Sequence, residues 1–164
     1  MQAFVVDTKN FAVQTSVRTF DAASFLRRCG ADTKLVHRLF EEDISSIKCK
    51  AEILAGMQLV DGTIAIASCP DHVEEAQILA GQVADYLVTI KEIRASFLFY
   101  QTDKGLCLSA RSDGSVNVQV VMEALGGGGH LTVAGAQLGK EGNKESAEKV
   151  IIAQVRKQIK EEKE

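Results

Sequence analysis

No stretch of this 164-residue chain comes near the roughly 18 consecutive apolar residues that a membrane-spanning helix needs. Its first residues, MQAFVVDTKN, have neither a basic head nor an apolar segment, so no secretory signal is visible. Basic excess is missing as well. Nineteen Lys and Arg stand against 22 Asp and Glu, a net charge of −3, which argues against a surface for long nucleic acid. A small anionic ligand held by a few local groups remains open. The four cysteines, Cys29, Cys49, Cys69 and Cys107, form no CxxC pair and no Cys–His cluster. The tight ligand spacing of a zinc site is therefore lacking, and free thiols in a reducing cytoplasm are the expectation. What is present is ordinary for a globular protein, 46% apolar and 25% charged residues. That balance excludes a disordered tail, a collagen and a coiled-coil rod, and a chain of this size buries about two thirds of its unfolded surface.

The hydrophobic pattern predicts elements along the whole chain. Residues 3–6 (AFVV) read as a buried strand ending at Asp7. A helix is predicted between Asp21, as its N-cap, and Gly30 just past its end. A second runs over about 33–41. A third follows Asp43 with Ile44, Ile47, Ala51 and Leu54 as its apolar stripe. At Met57 the period changes, and QLV-DG-TIAIAS reads as a hairpin about Asp61-Gly62. Asp71 and Glu74, just beyond Pro70, have the spacing of a capping box ahead of a helix with Ala76, Leu79, Val83 and Leu87 inward. Residues 93–100 and 106–109 read as two strands about QTDKG, and Val118 to Leu125 as a short helix. LTVAGAQLG fits either a helical turn or a strand. The tail from Ser146 is helical, with Val150, Ile151, Val155 and Ile159 on one face. The predicted fold class is α/β, an α+β mixed sheet flanked by helices. Residues 58–164 make one complete domain, and residues 1–57 a strand-poor piece whose single strand needs partners from elsewhere.

Three segments carry candidate chemistry. In LGGGGH, residues 125–130, the four glycines Gly126, Gly127, Gly128 and Gly129 let backbone approach a ligand closely. Their N–H groups can cradle an anion, and His130 adds a side-chain donor or acceptor. Neither GxxxxGK[ST] nor GxGxxG is matched here. A plain surface loop is the competing reading. In SARS, residues 109–112, Arg111 follows a strand, where a guanidinium can fork onto phosphate or stack on a base; an ordinary surface arginine would look the same. In VVDTKN, Asp7 ends a strand, a place suited to a metal-binding carboxylate and equally to a turn-forming one. One carboxylate does not hold a metal pair. Of the other histidines, His37 reads as helix surface and His72 as solvated.

Taken together the three segments resemble the DHH phosphoesterases, named for an Asp-His-His motif, and within them the cyclic-di-AMP phosphodiesterases of Gram-positive bacteria. VVDTKNF at 5–11 is similar to the family's last metal-ligand motif, RTFDAASFLR at 18–27 to the helix after it, and SARSDGSVNVQVVMEALGGGGHLTVAGAQL at 109–138 to the glycine-rich signature of the associated C-terminal domain. The resemblance implies that Asp7 is a ligand to one of two manganese ions. It also implies that Arg111, Gly126 to Gly129 and His130 grip a cyclic dinucleotide or short oligonucleotide. The implied chemistry is attack of metal-activated water on a phosphodiester, opening cyclic-di-AMP to linear di-adenylate. DHH and the other metal motifs are absent from these residues. The chain is thus expected to be the C-terminal piece of a longer cytoplasmic-facing protein, lacking its N-terminal DHH domain and inactive on its own. At 130–137 the sequence reads HLTVAGAQ where the cyclic-di-AMP enzymes read HLTNAATQ. A di-guanylate or short-RNA substrate and a non-catalytic nucleotide sensor therefore stay open, as does a homodimer. The segment itself shows no membrane contact.

Overall fold

The computed structural model describes residues 15–38, 41–73 and 75–161. The strand predicted at 3–6, Asp7, Leu39, Phe40 and Glu74 lie outside the described residues. The chain packs as two units that divide between Asp43 and Ile44.

In the first unit, α1 (Val17–Arg28) and α2 (Thr33–Arg38) are helical. Helix α1 starts earlier than its sequence suggests. Ser16, not Asp21, is the N-cap, and its backbone N–H donates to the Thr19 hydroxyl at 3.1 Å; Asp21 sits inside the helix. The Gly30 end is as predicted. The Gly30 N–H donates to the Arg27 carbonyl and the Ala31 N–H to that of Leu26, the two bonds of a Schellman motif. The Lys34 N–H then donates to the Asp32 carboxylate at 2.8 Å, starting α2.

The second unit runs α3 (Ile44–Ala55), β1 (Gln58–Val60), β2 (Ile64–Ser68), α4 (Ala76–Leu87), β3 (Ala95–Thr102), β4 (Gly105–Ser112), α5 (Val118–Glu123), β5 (Gly128–Gly129), β6 (Val133–Gly139) and α6 (Lys144–Glu161). Its sheet has the order β1-β2-β3-β4-β6-β5. Only β2 and β3 run parallel, joined through α4. The hairpin forms where the sequence puts it, with Asp61 and Gly62 at φ +52° and +72°. Arg156 of α6 holds that turn with two bonds onto the Asp61 carboxylate, at 2.7 and 2.9 Å.

Alternation along the strands builds two cores. Phe97, Phe99, Leu108 and Ala110 face α5 and α6, where Met122, Ile151 and Val155 meet them. Leu98, Tyr100 and Cys107 face the opposite way, where Leu79, Val83 and Leu87 of α4 and Ile53 of α3 cover the sheet. The inward face read for α4 is therefore the observed one. The stripe read for α3 is not. Ile44 and Ile47 are 72% and 53% exposed, while Ile53 is buried, with Cys49, Leu54 and Met57 packed beside it. Only the C-terminal part of α3 reaches the core, and it brings the helix into the second unit. LTVAGAQLG resolves as β6, because Ala134 and Ala136 alternate into the core. Helix α4 begins at Ala76 behind Glu75 with no side-chain cap, so Asp71 belongs to the turn after Pro70 instead of a capping box. No helix among the described residues is long and apolar enough to cross a membrane.

Cys69 gives this packing a pH signature. Its thiol is buried and points at the Ala76 carbonyl, and burial first, then the neighbouring Cys49, pushes its pKa from 9.0 up to about 11. The folded chain keeps this proton where the unfolded chain loses it. The associated stability is thus whole below pH 9 and lost as pH climbs from 9 toward about 11. Thermal melts across that window are expected to show a falling midpoint, and the fall should shrink in Cys69→Ala; an equal fall in both proteins would assign the effect to other groups.

Candidate functional site

Strand β4 places Cys107, Ser109 and Arg111 on the face covered by α4, since side chains alternate with period two. Arg111 is not a free strand-end arginine. Its side chain is only 17% exposed, and Nε lies 3.3 Å from an Asp85 carboxylate oxygen without hydrogen-bond geometry. Nη1 donates to the Ala110 carbonyl at 2.9 Å. On the α4 side Nη2 closes on Gly81, where an added Cβ would stand 3.4 Å away. The guanidinium is thus held in place before any ligand arrives.

Arg111 pairs with Val133 across β4 and β6, and the carbonyl of Val133 accepts the His130 backbone N–H at 2.7 Å. The turn from His130 to Thr132 therefore sits at the same end of the sheet as Arg111. It is pinned there by the Val118 N–H on the Leu131 carbonyl and the Ser112 N–H on that of Thr132, both at 3.0 Å. His130 itself is exposed. Two neighbouring polar residues have structural work: Asn117 caps α5 through the Gln119 and Val120 N–H groups, and buried Ser112 donates to the Leu131 carbonyl.

The glycine run is not a free loop. Gly126, at φ +76°, closes α5; its N–H donates to the Glu123 carbonyl, and that of Gly127 to Met122. These two N–H groups are occupied and cannot serve an anion nest. Gly127 and Gly129 are required by close packing on β6. A Cβ at Gly127 would stand 2.2 Å from the Gly135 oxygen, and one at Gly129 2.5 Å from Ala134 Cα. Gly128 and Gly129 form β5, paired with Gly135 and Ala134. Only Gly128 lacks both needs. Its φ is not positive, and nothing lies within 4 Å of a Cβ built there.

Beside this edge, on the α4 face, a cleft of about 1090 Å³ opens between the start of α4 and strands β3, β4 and β6. Tyr100, Ser109, Gly135 and Gln137 contribute to it, and Gly126 and Gly127 border it. Burial raises the Tyr100 phenol above its ordinary pKa, with a bond from Ser109 working the other way. The sequence reading missed Tyr100, Ser109 and Gln137, which come from three strands and make no local motif; the period-two alternation through 107–111 and 133–137 was the one signal for them. Among the described residues no three His, Cys, Asp or Glu side chains gather as a metal site, and Asp7 lies outside the described residues.

Residues 61–157 match the family described as the DHHA1 domain. The chain belongs to that family. The DHHA1 match takes in Arg111, the glycine run, His130 and the whole cleft. Over 141 residues, 84% of this chain, it is 48% identical to a cyclic-di-AMP phosphodiesterase, GdpP, of Bacillus subtilis (strain 168), of which the match covers 21%. It is 42% identical over 94% of its length to the cyclic-di-AMP phosphodiesterase PdeA of Listeria monocytogenes, again covering 24% of that protein. The chain thus spans about a fifth to a quarter of the length of these curated relatives. Its fold is shared with an exopolyphosphatase-related protein from Bacteroides fragilis, at a TM-score of 0.78 and 21% identity over 93% of this chain and 47% of that one. The mixed sheet flanked by helices that the sequence predicts is therefore a fold that a solved structure shares.

Proposed function

We propose that this chain is the nucleotide-holding part of a DHH-family phosphodiesterase that opens cyclic-di-AMP to linear di-adenylate. The observation that carries the reading is 48% identity, over 84% of the chain, to a relative named for that activity. The site is consistent with it. Arg111 offers a pre-oriented cation for a phosphate. Gly128 leaves the outer edge of the sheet bare, so ligand can approach the backbone there. His130, on the turn at the same end of the sheet as Arg111, adds a donor or acceptor at that end. In this reading residues 58–164, with α3 packed on them, form the substrate-binding domain, and the residues before α3 belong with a preceding DHH domain.

Two manganese ions would supply a metal-activated water for attack on the phosphodiester, with Asp7 as this chain's one ligand. The described residues do not themselves gather a metal site, and in this reading the isolated chain binds without turnover.

His130→Ala is expected to weaken cyclic-di-AMP affinity about tenfold, the loss of roughly one hydrogen bond to a charged group, and Gly128→Val by about as much, because its side chain would stand where ligand approaches the backbone. Thermal midpoints should stay unchanged, because His130 is exposed and Gly128 has open space. Calorimetric titration with parallel melts measures both; unchanged affinity in both variants would remove this edge from the site.

A further inference from the structure

Arg111 and His130 account for a phosphate and leave the larger part of the same sheet face without a role. That part is the cleft of about 1090 Å³, large enough to enclose a small organic ligand. Register places Ser109 opposite Gly135 and Cys107 opposite Gln137, so Ser109, Gly135 and Gln137 adjoin on one face. Gly127 and Gly135 bring no side chains, and a flat ring can lie against backbone between polar groups. Charge points the same way. Among the described residues, Asp71, Glu75 and Asp103 line the cleft with Lys104 as the one cation, a balance that repels phosphate and favours an amino group. A glutamine amide presents a donor and an acceptor side by side, the pattern that pairs with adenine. Among the described residues neither Gln101 nor Gln137 has a side-chain hydrogen bond of its own. Ser109 and Arg111 are two residues apart on this face, about 7 Å along the strand, a span that one nucleotide bridges from base to phosphate.

We infer that this cleft is a base pocket: it takes an adenine, with Gln137 on its amino edge and the acidic rim around it, while the attached phosphate reaches Arg111. The inference rests on the nucleotide-binding reading above and adds the part of the chain that selects the base.

The test is heteronuclear NMR of the full chain titrated with AMP, inosine monophosphate and ribose 5-phosphate. AMP is expected to shift the amides of Tyr100, Ser109, Gly127 and Gln137 together with that of Arg111. Ribose 5-phosphate is expected to shift only the Arg111–His130 end. Inosine monophosphate, with an oxygen in place of the amino group, should bind about tenfold more weakly than AMP, because the carboxylates then face an unmatched acceptor. Gln137→Trp, at an exposed position, should weaken AMP about tenfold and leave ribose 5-phosphate unchanged; Ser109→Phe fills the cleft from its floor and should do the same. Equal affinity and equal shifts for AMP and ribose 5-phosphate would overturn the base pocket and leave the nucleotide reading standing. So would undiminished AMP binding by a folded Gln137→Trp. Absence of binding by all three probes would sink both.

Discussion

Gly127→Val is expected to destabilise the second unit by about 3 kcal/mol, at the upper end of the usual overpacking cost. For a domain of this size that is roughly 10 °C in the thermal midpoint. The new Cβ would stand 2.2 Å from the Gly135 oxygen and 2.6 Å from the Ala136 Cβ, so relief requires backbone to move. The segment cannot swing out freely, because the Gly127 N–H is tied to the Met122 carbonyl at 2.8 Å and Gly128 and Gly129 are paired to β6. The neighbouring Gly128→Val meets nothing within 4 Å and is expected to cost less than about 1 kcal/mol. Paired denaturation curves for the two variants measure the contrast. Equal stability would mean that the glycine run is not packed on β6 as described.

Phe97→Ala is expected to cost about 3–5 kcal/mol, a large part of the roughly 5–15 kcal/mol that holds a domain folded. Phe97 is fully buried at the centre of β3, in the core shared with Ile151, Val155 and Met122 from two helices. The alanine variant leaves a cavity that the rigid strand cannot close. Phe97→Leu keeps most of the volume and is expected to lose much less. Chemical denaturation of both checks the size of the effect, and a loss below about 1 kcal/mol for alanine would contradict the position of this side chain.

The second unit was legible where local chemistry and burial agree. Asp61-Gly62 needs left-handed backbone at two successive residues, and the hairpin forms there. Ala76, Leu79, Val83 and Leu87 repeat with the helical period and are buried together. What misled was chemistry that depends on partners. Asp21 has the right residue type for an N-cap, but Ser16 comes first and Thr19 completes its cap. Ile44 and Ile47 make an apolar stripe, yet the core reaches α3 only from Cys49 onward, which no local pattern encodes. In the site, the glycine run and Arg111 were visible as residues, but their constraints were not. Three of the four glycines answer to helix closure or strand packing, and Arg111 is wedged between Asp85 and Gly81 of a helix distant in sequence. Tyr100, Ser109 and Gln137 come together only when β3, β4 and β6 align, so a linear reading passes over them.

The ligand proposed for this chain is a cyclic dinucleotide whose bases are adenine. Calorimetric titration of the full chain with cyclic-di-AMP, cyclic-di-GMP and a short RNA tests it most directly. Saturable binding of cyclic-di-AMP at one site, weaker binding of the other two, and loss of that binding in Arg111→Ala are expected. Binding of the RNA with no heat from cyclic-di-AMP, or an Arg111→Ala variant that binds cyclic-di-AMP as tightly as the parent, would contradict it.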